Sequence, residues 1–194
     1  MDPRRPAFRT TISVAVILVV ATACAQAPTQ RRTDAPACPR VAAPEGLRAP
    51  LLPRTTCLLP QFDPARFREL LGQLRGVPVV VNIWGSWCGP CLREAPDLAR
   101  VAREFEGRVQ FLGVDINDLR VPAANFIRRF GWPYPSVFDP PGVIRDSLGL
   151  VGQPHTLVFD AAGRRTLVHP GATTARQLRT ELRKLLRRPA AGRP

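Results

Sequence analysis

Cys88 and Cys91 stand two residues apart in Gly85-Ser86-Trp87-Cys88-Gly89-Pro90-Cys91, where an apolar run ends and a helical pattern begins. The thiolate is the reactive form of cysteine, and the free amides at a helix N-terminus stabilise negative charge. Cys88 is placed to gain from that field. The spacing lets the Cys91 sulfur reach that of Cys88 and close a small disulfide ring. Gly89 permits the tight turn between them, and Pro90 presets the first helical residue. The chemistry implied is dithiol–disulfide exchange, with Cys88 attacking and Cys91 resolving. Other uses of the C-x-x-C spacing lack their second half. A zinc site needs another ligand pair, and neither Cys38 nor Cys57 lies in a C-x-x-C. Covalent haem attachment needs a histidine after the second cysteine, where Leu92 stands. A strand-to-helix junction is an awkward place for a purely structural staple. The pattern implies no metal and no cofactor.

The elements around the pair must hold it there. Val77 to Trp84 is a continuous apolar run, the mark of a strand buried on both faces, and Val109 to Ile116 is a second. Pro90 to Glu106 reads as a helix with Leu98, Val101, Ala102 and Phe105 inward. Before them, Asp63-Pro64 caps a helix carrying Phe67, Leu70, Leu71 and Leu74 at helical spacing, ended by Gly76. After them come a helix over Val121–Phe130, a short helical turn over Val143–Leu150, and a hairpin. The hairpin strands are Thr156 to Asp160 and Arg165 to His169, joined through Ala161-Ala162-Gly163. A last amphipathic helix runs from Thr173 to Arg188 with Leu178, Leu182, Leu185 and Leu186 on one face. The order, β-α-β-α and then β-β-α, predicts an α/β domain: a mixed central sheet flanked by helices on both faces.

The N-terminus reads as an export signal. Arg4, Arg5 and Arg9 precede a mostly apolar core from Thr11 to Ala23, shorter than the ~20 residues a membrane span needs. Ala21-Thr22-Ala23-Cys24 fits two outcomes: ordinary cleavage after small residues, or a bacterial lipobox in which Cys24 is lipidated. Ala21 replaces the larger aliphatic common in lipoboxes, and an uncleaved anchor is the third outcome. All three put the rest of the chain outside the cytoplasm. Residues 1–24 are thus a signal or anchor. Residues 25–60, rich in proline and alanine, form a linker whose second half packs as an edge segment. Residues 61–188 form the domain, and 189–194 a disordered tail. In an oxidising compartment Cys38 and Cys57 are free to pair as a structural disulfide or to stay unrelated. The formal charge is +13, and Lys184 is the only lysine. Without Arg–aromatic interleaving or a nucleic-acid motif, this charge reads as solvated arginine rather than a nucleic-acid surface.

Trp87-Cys88-Gly89-Pro90-Cys91 resembles the thioredoxin active-site motif, and the element order resembles that fold over about residues 60–188. Pro154, in Gly152-Gln153-Pro154-His155-Thr156, stands where the family has a cis-proline facing the cysteines. The resemblance gives it the role of keeping the loop open, so that a substrate strand can pair with the backbone at Gln153. Pro96 matches the proline that kinks the active-site helix. Asn82-Ile83-Trp84-Gly85-Ser86-Trp87-Cys88 is similar to the N-F-W-A-S-W-C signature of the exported TlpA/ResA/DsbE-type branch. That branch carries a glutamate three residues after the second cysteine, and Glu94 stands there, on the helical face of Cys91. The resemblance makes Glu94 a base for Cys91, against the bland reading of an exposed early-helix carboxylate. Trp87 is expected at the substrate surface. His155 departs from the branch and reads as a packing or surface imidazole. Trp132-Pro133-Tyr134-Pro135 reads as a loop, packing locally or lining a partner groove.

The branch's usual work is reduction of extracytoplasmic disulfides, including those of apocytochrome c, with electrons from a membrane thiol-transfer protein. Protein thiols and disulfides, that donor and a membrane tether are therefore the implied partners. A disulfide-installing oxidase and a non-catalytic binding module on the same scaffold stay open beside the reductase.

Overall fold

The Asp63 carboxylate accepts a hydrogen bond from the Arg66 amide at 2.7 Å, and Pro64 follows at the first helical position, where its missing N–H is harmless. The computed structural model describes residues 38–41 and 43–187. Along it run α1 (Pro64–Gln73), β1 (Val79–Trp84), α2 (Gly89–Glu104), β2 (Gln110–Ile116) and α3 (Arg120–Phe130). β3 (Ser136–Asp139), α4 (Val143–Ser147), β4 (His155–Phe159), β5 (Arg165–Pro170) and α5 (Ala175–Arg187) follow. The expected signal or anchor with Cys24, and the tail 189–194, lie outside the described residues. No helix among the described residues is long and apolar enough to cross a membrane.

The sheet order is β3-β2-β1-β4-β5, with β1, β2 and β3 parallel and β4 and β5 antiparallel additions. The crossovers through α2 and α3 step the same way across the sheet, so their common handedness places both helices on one face. There α2, α3 and α5 pack on Val80, Trp84, Phe111, Phe138 and Val158. On the other face α1 and α4 pack on Val81, Ile83, Leu112, Val114 and Leu157. Burial on both faces explains the unbroken apolar runs of β1 and β2. The observed fold is the expected mixed sheet with helices on both sides, with one correction. The stretch after Trp132-Pro133-Tyr134-Pro135 is not only loop: Ser136–Asp139 forms a fifth strand, paired with β2.

Register places one row of residues across the whole sheet. Ser136 lies beside Gly113, Gly113 beside Asn82, Asn82 beside Thr156, and Thr156 beside His169. Alternation along the strands puts this row on the face of α2 and α5. Gly113 is required in it: a Cβ there would collide with Ser136 Oγ and lie 2.7 Å from Trp84 Nε1.

Residues 38–41 and 43–62, from the stretch read as linker and edge segment and the first two residues of the expected domain, form an arm. Cys38 and Cys57 are joined by a disulfide. The Val41 amide donates to the Arg54 carbonyl, and the Thr56 amide to the Pro39 carbonyl, inside the loop it closes. Leu52, Leu59 and Phe62 are buried. Phe138 donates to the Pro60 carbonyl and Phe62 donates to the Phe138 carbonyl, so the arm's end lies along the outer edge of β3. The Arg120 guanidinium bonds the Leu59 carbonyl and lies 4.4 Å over the Phe138 ring, fastening the arm to α3.

Candidate active site

β1 delivers the chain to the cysteines and α2 receives it. Cys88 is the N-cap residue of α2: its Sγ accepts from the Cys91 amide at 3.2 Å, and its carbonyl accepts from Leu92. The capping atom is therefore the sulfur that exchange chemistry would ionise, held on the unpaired amides of a 16-residue helix. Cys88 and Cys91 form a disulfide, with Gly89 exposed and Pro90 half-buried between them. Cys91 is 1% exposed and Cys88 4%, so both residues are buried and Cys88 is the more accessible of the two.

The loop before the pair is held from β2's C-terminal end. Asp118 accepts from the Ser86 amide at 2.5 Å and from Ser86 Oγ at 2.9 Å. Trp87 donates from Nε1 to the Asn117 carbonyl at 2.8 Å, and Asn117 takes the left-handed conformation at φ 51°. Trp87 nevertheless stays 56% exposed beside Cys88, the surface position expected of it. Behind the loop lies Asp115, wholly buried at the end of β2. Burial, reinforced by the charge of Asp118, pushes its carboxyl up to about 9.

Glu94 is buried at 2% exposure, which removes the bland reading of a solvated early-helix carboxylate. It lies one helical turn beyond Cys91, and its Oε1 accepts from Asn82 Nδ2 at 2.9 Å. Its Oε2 accepts from the Thr173 amide at 2.8 Å. Burial raises its carboxyl to about 7, against the lowering effect of those two hydrogen bonds. A group that titrates near neutrality next to a resolving thiol has the proton affinity of a general base. Tyr134, fully buried nearby, is pushed well above the usual phenol range, by burial and then by the Glu94 charge.

The Gln153–Pro154 peptide is cis, Pro154 is buried and Gln153 is half-buried. The Pro154 carbonyl accepts from the Gly171 amide at 2.9 Å, tying this loop to the end of β5. His155 is buried, and that burial lowers its proton affinity. Trp132 and Tyr134 stack at 4.7 Å inside the core, Trp132 against Trp84 and Phe126, while Pro133 and Tyr134 also line a cavity of about 210 Å³ beside Val41 and Pro44 of the arm. Cys57 sits half-buried against the core cluster that contains Cys88 and Cys91.

Sequence reasoning missed four participants: Asp115, Asn117, Asp118 and Thr173. Asp115 did carry a signal, as an acid inside an otherwise apolar strand. Thr173 carried none, because its role is a backbone amide brought 79 residues along the chain to Glu94. Among the described residues no cluster of three or more histidines, cysteines or carboxylates is disposed to hold a metal ion.

Comparison with known proteins agrees with this geometry. The AhpC/TSA family matches residues 63–165. A thiol:disulfide interchange protein DsbE of Allochromatium vinosum is 33% identical over 126 residues, which cover 64% of this chain and 66% of the relative. A thiol-disulfide oxidoreductase ResA of Bacillus subtilis is 29% identical over 105 residues, covering 54% of this chain and 59% of the relative. The chain thus spans somewhat less than two thirds of these relatives. Among solved structures, a DsbF homologue from Corynebacterium diphtheriae superposes with a TM-score of 0.56 at 32% identity, covering 59% of this chain and 76% of that one. A secreted Mycobacterium tuberculosis disulfide oxidoreductase superposes with a TM-score of 0.55 at 27% identity, covering 59% and 86% respectively. The motif at Trp87–Cys91, the proline at 154 and the mixed sheet that joins them place this chain in the AhpC/TSA family, with a thioredoxin-like fold of the kind carried by its DsbE- and ResA-named relatives.

Proposed function

We propose that the chain is an extracytoplasmic thiol–disulfide oxidoreductase working as a protein-disulfide reductase. The observation that carries this reading is Cys88 Sγ capping α2 and bonded to Cys91, with buried Glu94 one turn further on. In the reduced chain, the Cys88 thiolate attacks a substrate disulfide. One substrate thiolate leaves, and a mixed disulfide remains on Cys88. Cys91 then gives its proton to the Glu94 carboxylate and attacks the Cys88 sulfur. The second substrate thiolate leaves, and the Cys88–Cys91 disulfide remains. Two electrons have passed from the chain to the substrate, so a thiol donor must reduce the pair before the next turn.

Exposed Trp87 and the backbone at Gln153 and Pro154 form the substrate surface in this reading. Resemblance to DsbE- and ResA-type proteins favours the disulfide of apocytochrome c as substrate and a membrane thiol-transfer protein as donor. Cys24, through lipidation or as part of a signal anchor, supplies the tether.

The test is the equilibrium reduction potential of the Cys88–Cys91 pair in the purified protein, read beside insulin reduction by wild type and Cys88→Ser. The expected result is a potential near the thioredoxin value of about −270 mV and loss of insulin reduction in the variant. A potential near the about −120 mV of strong periplasmic oxidants would make the chain a disulfide installer instead. A Cys88→Ser protein as active as wild type would leave only a binding role.

A further inference from the structure

Glu94, whose carboxyl titrates at about 7, carries a proton in part of the molecules near neutral pH and must lose it before it can take one from Cys91, and its surroundings offer few exits. Toward the cysteines lies Cys91, one turn back on its own helix. Tyr134 lies on the β3 side, buried. Its two hydrogen-bond partners, Asn82 and Thr173, are themselves buried, but they point one way, toward β4 and α5.

A cleft of about 430 Å³ lies on that side, between β4–β5 and α5. Thr173, whose amide binds Glu94, lines it, and so does Thr156, which lies beside Asn82 in the β1–β4 register. Thr156 is 0% exposed, and its Oγ1 has no hydrogen-bond partner among the described residues. The same is true of Asn82 Oδ1. Two buried polar atoms without partners, on neighbouring register positions, make a place where water gains hydrogen bonds, and such atoms are costly to leave unpaired. The cleft's solvent end carries the half-buried His169 and, on α5, Arg176 and Glu181.

We propose that this cleft is the proton port of Glu94: water entering it bonds Thr156 Oγ1 and Asn82 Oδ1, and the proton leaves the carboxyl for bulk solvent along that path. The inference rests on the oxidoreductase reading and adds Thr156 to it as a positioning residue that orders the water. The step balances without any further reagent. Cys91 gives one proton to the carboxylate, the carboxyl gives one to the water, and the Thr156 hydroxyl accepts and donates one in passing. A carboxyl that titrates near neutrality is one for which such exchange matters in each turnover. The titratable groups around it are the neutral Tyr134 phenol on the β3 side, and His169, Arg176 and Glu181 lining the cleft.

The experiment uses the full reduced chain and glutathione disulfide as probe, with the two glutathione thiols timed separately between pH 5 and pH 9. The first release reports attack by Cys88, and the second reports resolution by Cys91. Thr156→Val keeps the β-branched shape and removes the hydroxyl. It should slow the second release roughly tenfold near neutral pH and leave the first unchanged. Thr156→Ser, which restores the hydroxyl, should bring the second release back to the wild-type rate and pH profile. Should Thr156→Val not fold, Arg176→Trp on the exposed rim carries the test, with an indole in the mouth of the cleft slowing the second release in the same way. A wild-type second release in the folded variant, at every pH, overturns the port while the oxidoreductase reading stands. A wild-type chain that releases neither thiol overturns the oxidoreductase reading and the port together.

Discussion

Glu94 and Asp115 are two buried acids with different tasks, and pH separates them. Each binds its proton more tightly in the folded chain than in the unfolded one, Glu94 at about 7 against 4.5 and Asp115 at about 9 against 3.8. For a raised carboxyl, the contribution to stability is complete below the unfolded value and is lost as pH rises toward the folded one. Between the two values each acid tilts stability downward by about 1.4 kcal/mol per pH unit. Asp115→Asn should therefore flatten the decline between about pH 4 and 9, with the largest gain over wild type at the alkaline end. Urea unfolding at a series of pH values measures it, and an unchanged slope would contradict the buried, protonated acid. Glu94→Gln should flatten only the part below about pH 7 and, unlike the Asp115 change, slow resolution by Cys91 roughly tenfold at neutral pH. Single-turnover thiol release in the two variants separates the roles. Glu94 was legible from its spacing to Cys91. Its burial was not, because the groups that enclose it, Asn82 and the Thr173 amide, come from a strand and a loop far apart in the chain.

The strand-to-helix junction is rigid on one side only through its neighbour loop. Asp118 holds two groups of Ser86, and Asn117 holds the Trp87 indole, so the end of β2 sets where Cys88 sits. Asp118→Ala removes its bonds to the Ser86 amide and hydroxyl, and one from the Leu119 amide, and should cost about 2 kcal/mol in chemical unfolding, with slower attack by Cys88 on a small disulfide. If stability falls and the attack rate does not, the clamp serves the fold alone. At this scale the elements flanking the motif could be read directly: a capped α1, the two apolar strands, and a helix opened by Pro90. β3 could not. Its four residues follow Pro133 and Pro135, precede Pro140, and are too few to show a period. What makes Ser136–Asp139 a strand is pairing with β2 on one side and with the Pro60–Phe62 backbone on the other, neither of which has a local signature.

Across the whole molecule, the disulfide between Cys38 and Cys57 closes a loop with a sequence separation of 19 and fastens the arm that ends along β3. Replacing both cysteines by serine should lower stability by about 3 kcal/mol, the usual effect of opening a loop of this length. The Cys88–Cys91 pair should keep its reduction potential; a shift there would mean that the arm touches the chemistry. The arm's composition marked it as irregular, and its prolines forbid a ladder of its own. Where it lies became visible only with the edge it covers. That edge matters for how the protein is made. β3 presents a row of amide and carbonyl groups that the arm satisfies at Phe138, and β5, the opposite edge, ends in a proline. A chain synthesised where thiols stay reduced loses the covalent hold on the arm, and an uncovered β3 is a template for a second copy. Solubility during production should thus follow the redox state of the compartment, with more aggregate from a reducing cytosol than from an oxidising export route.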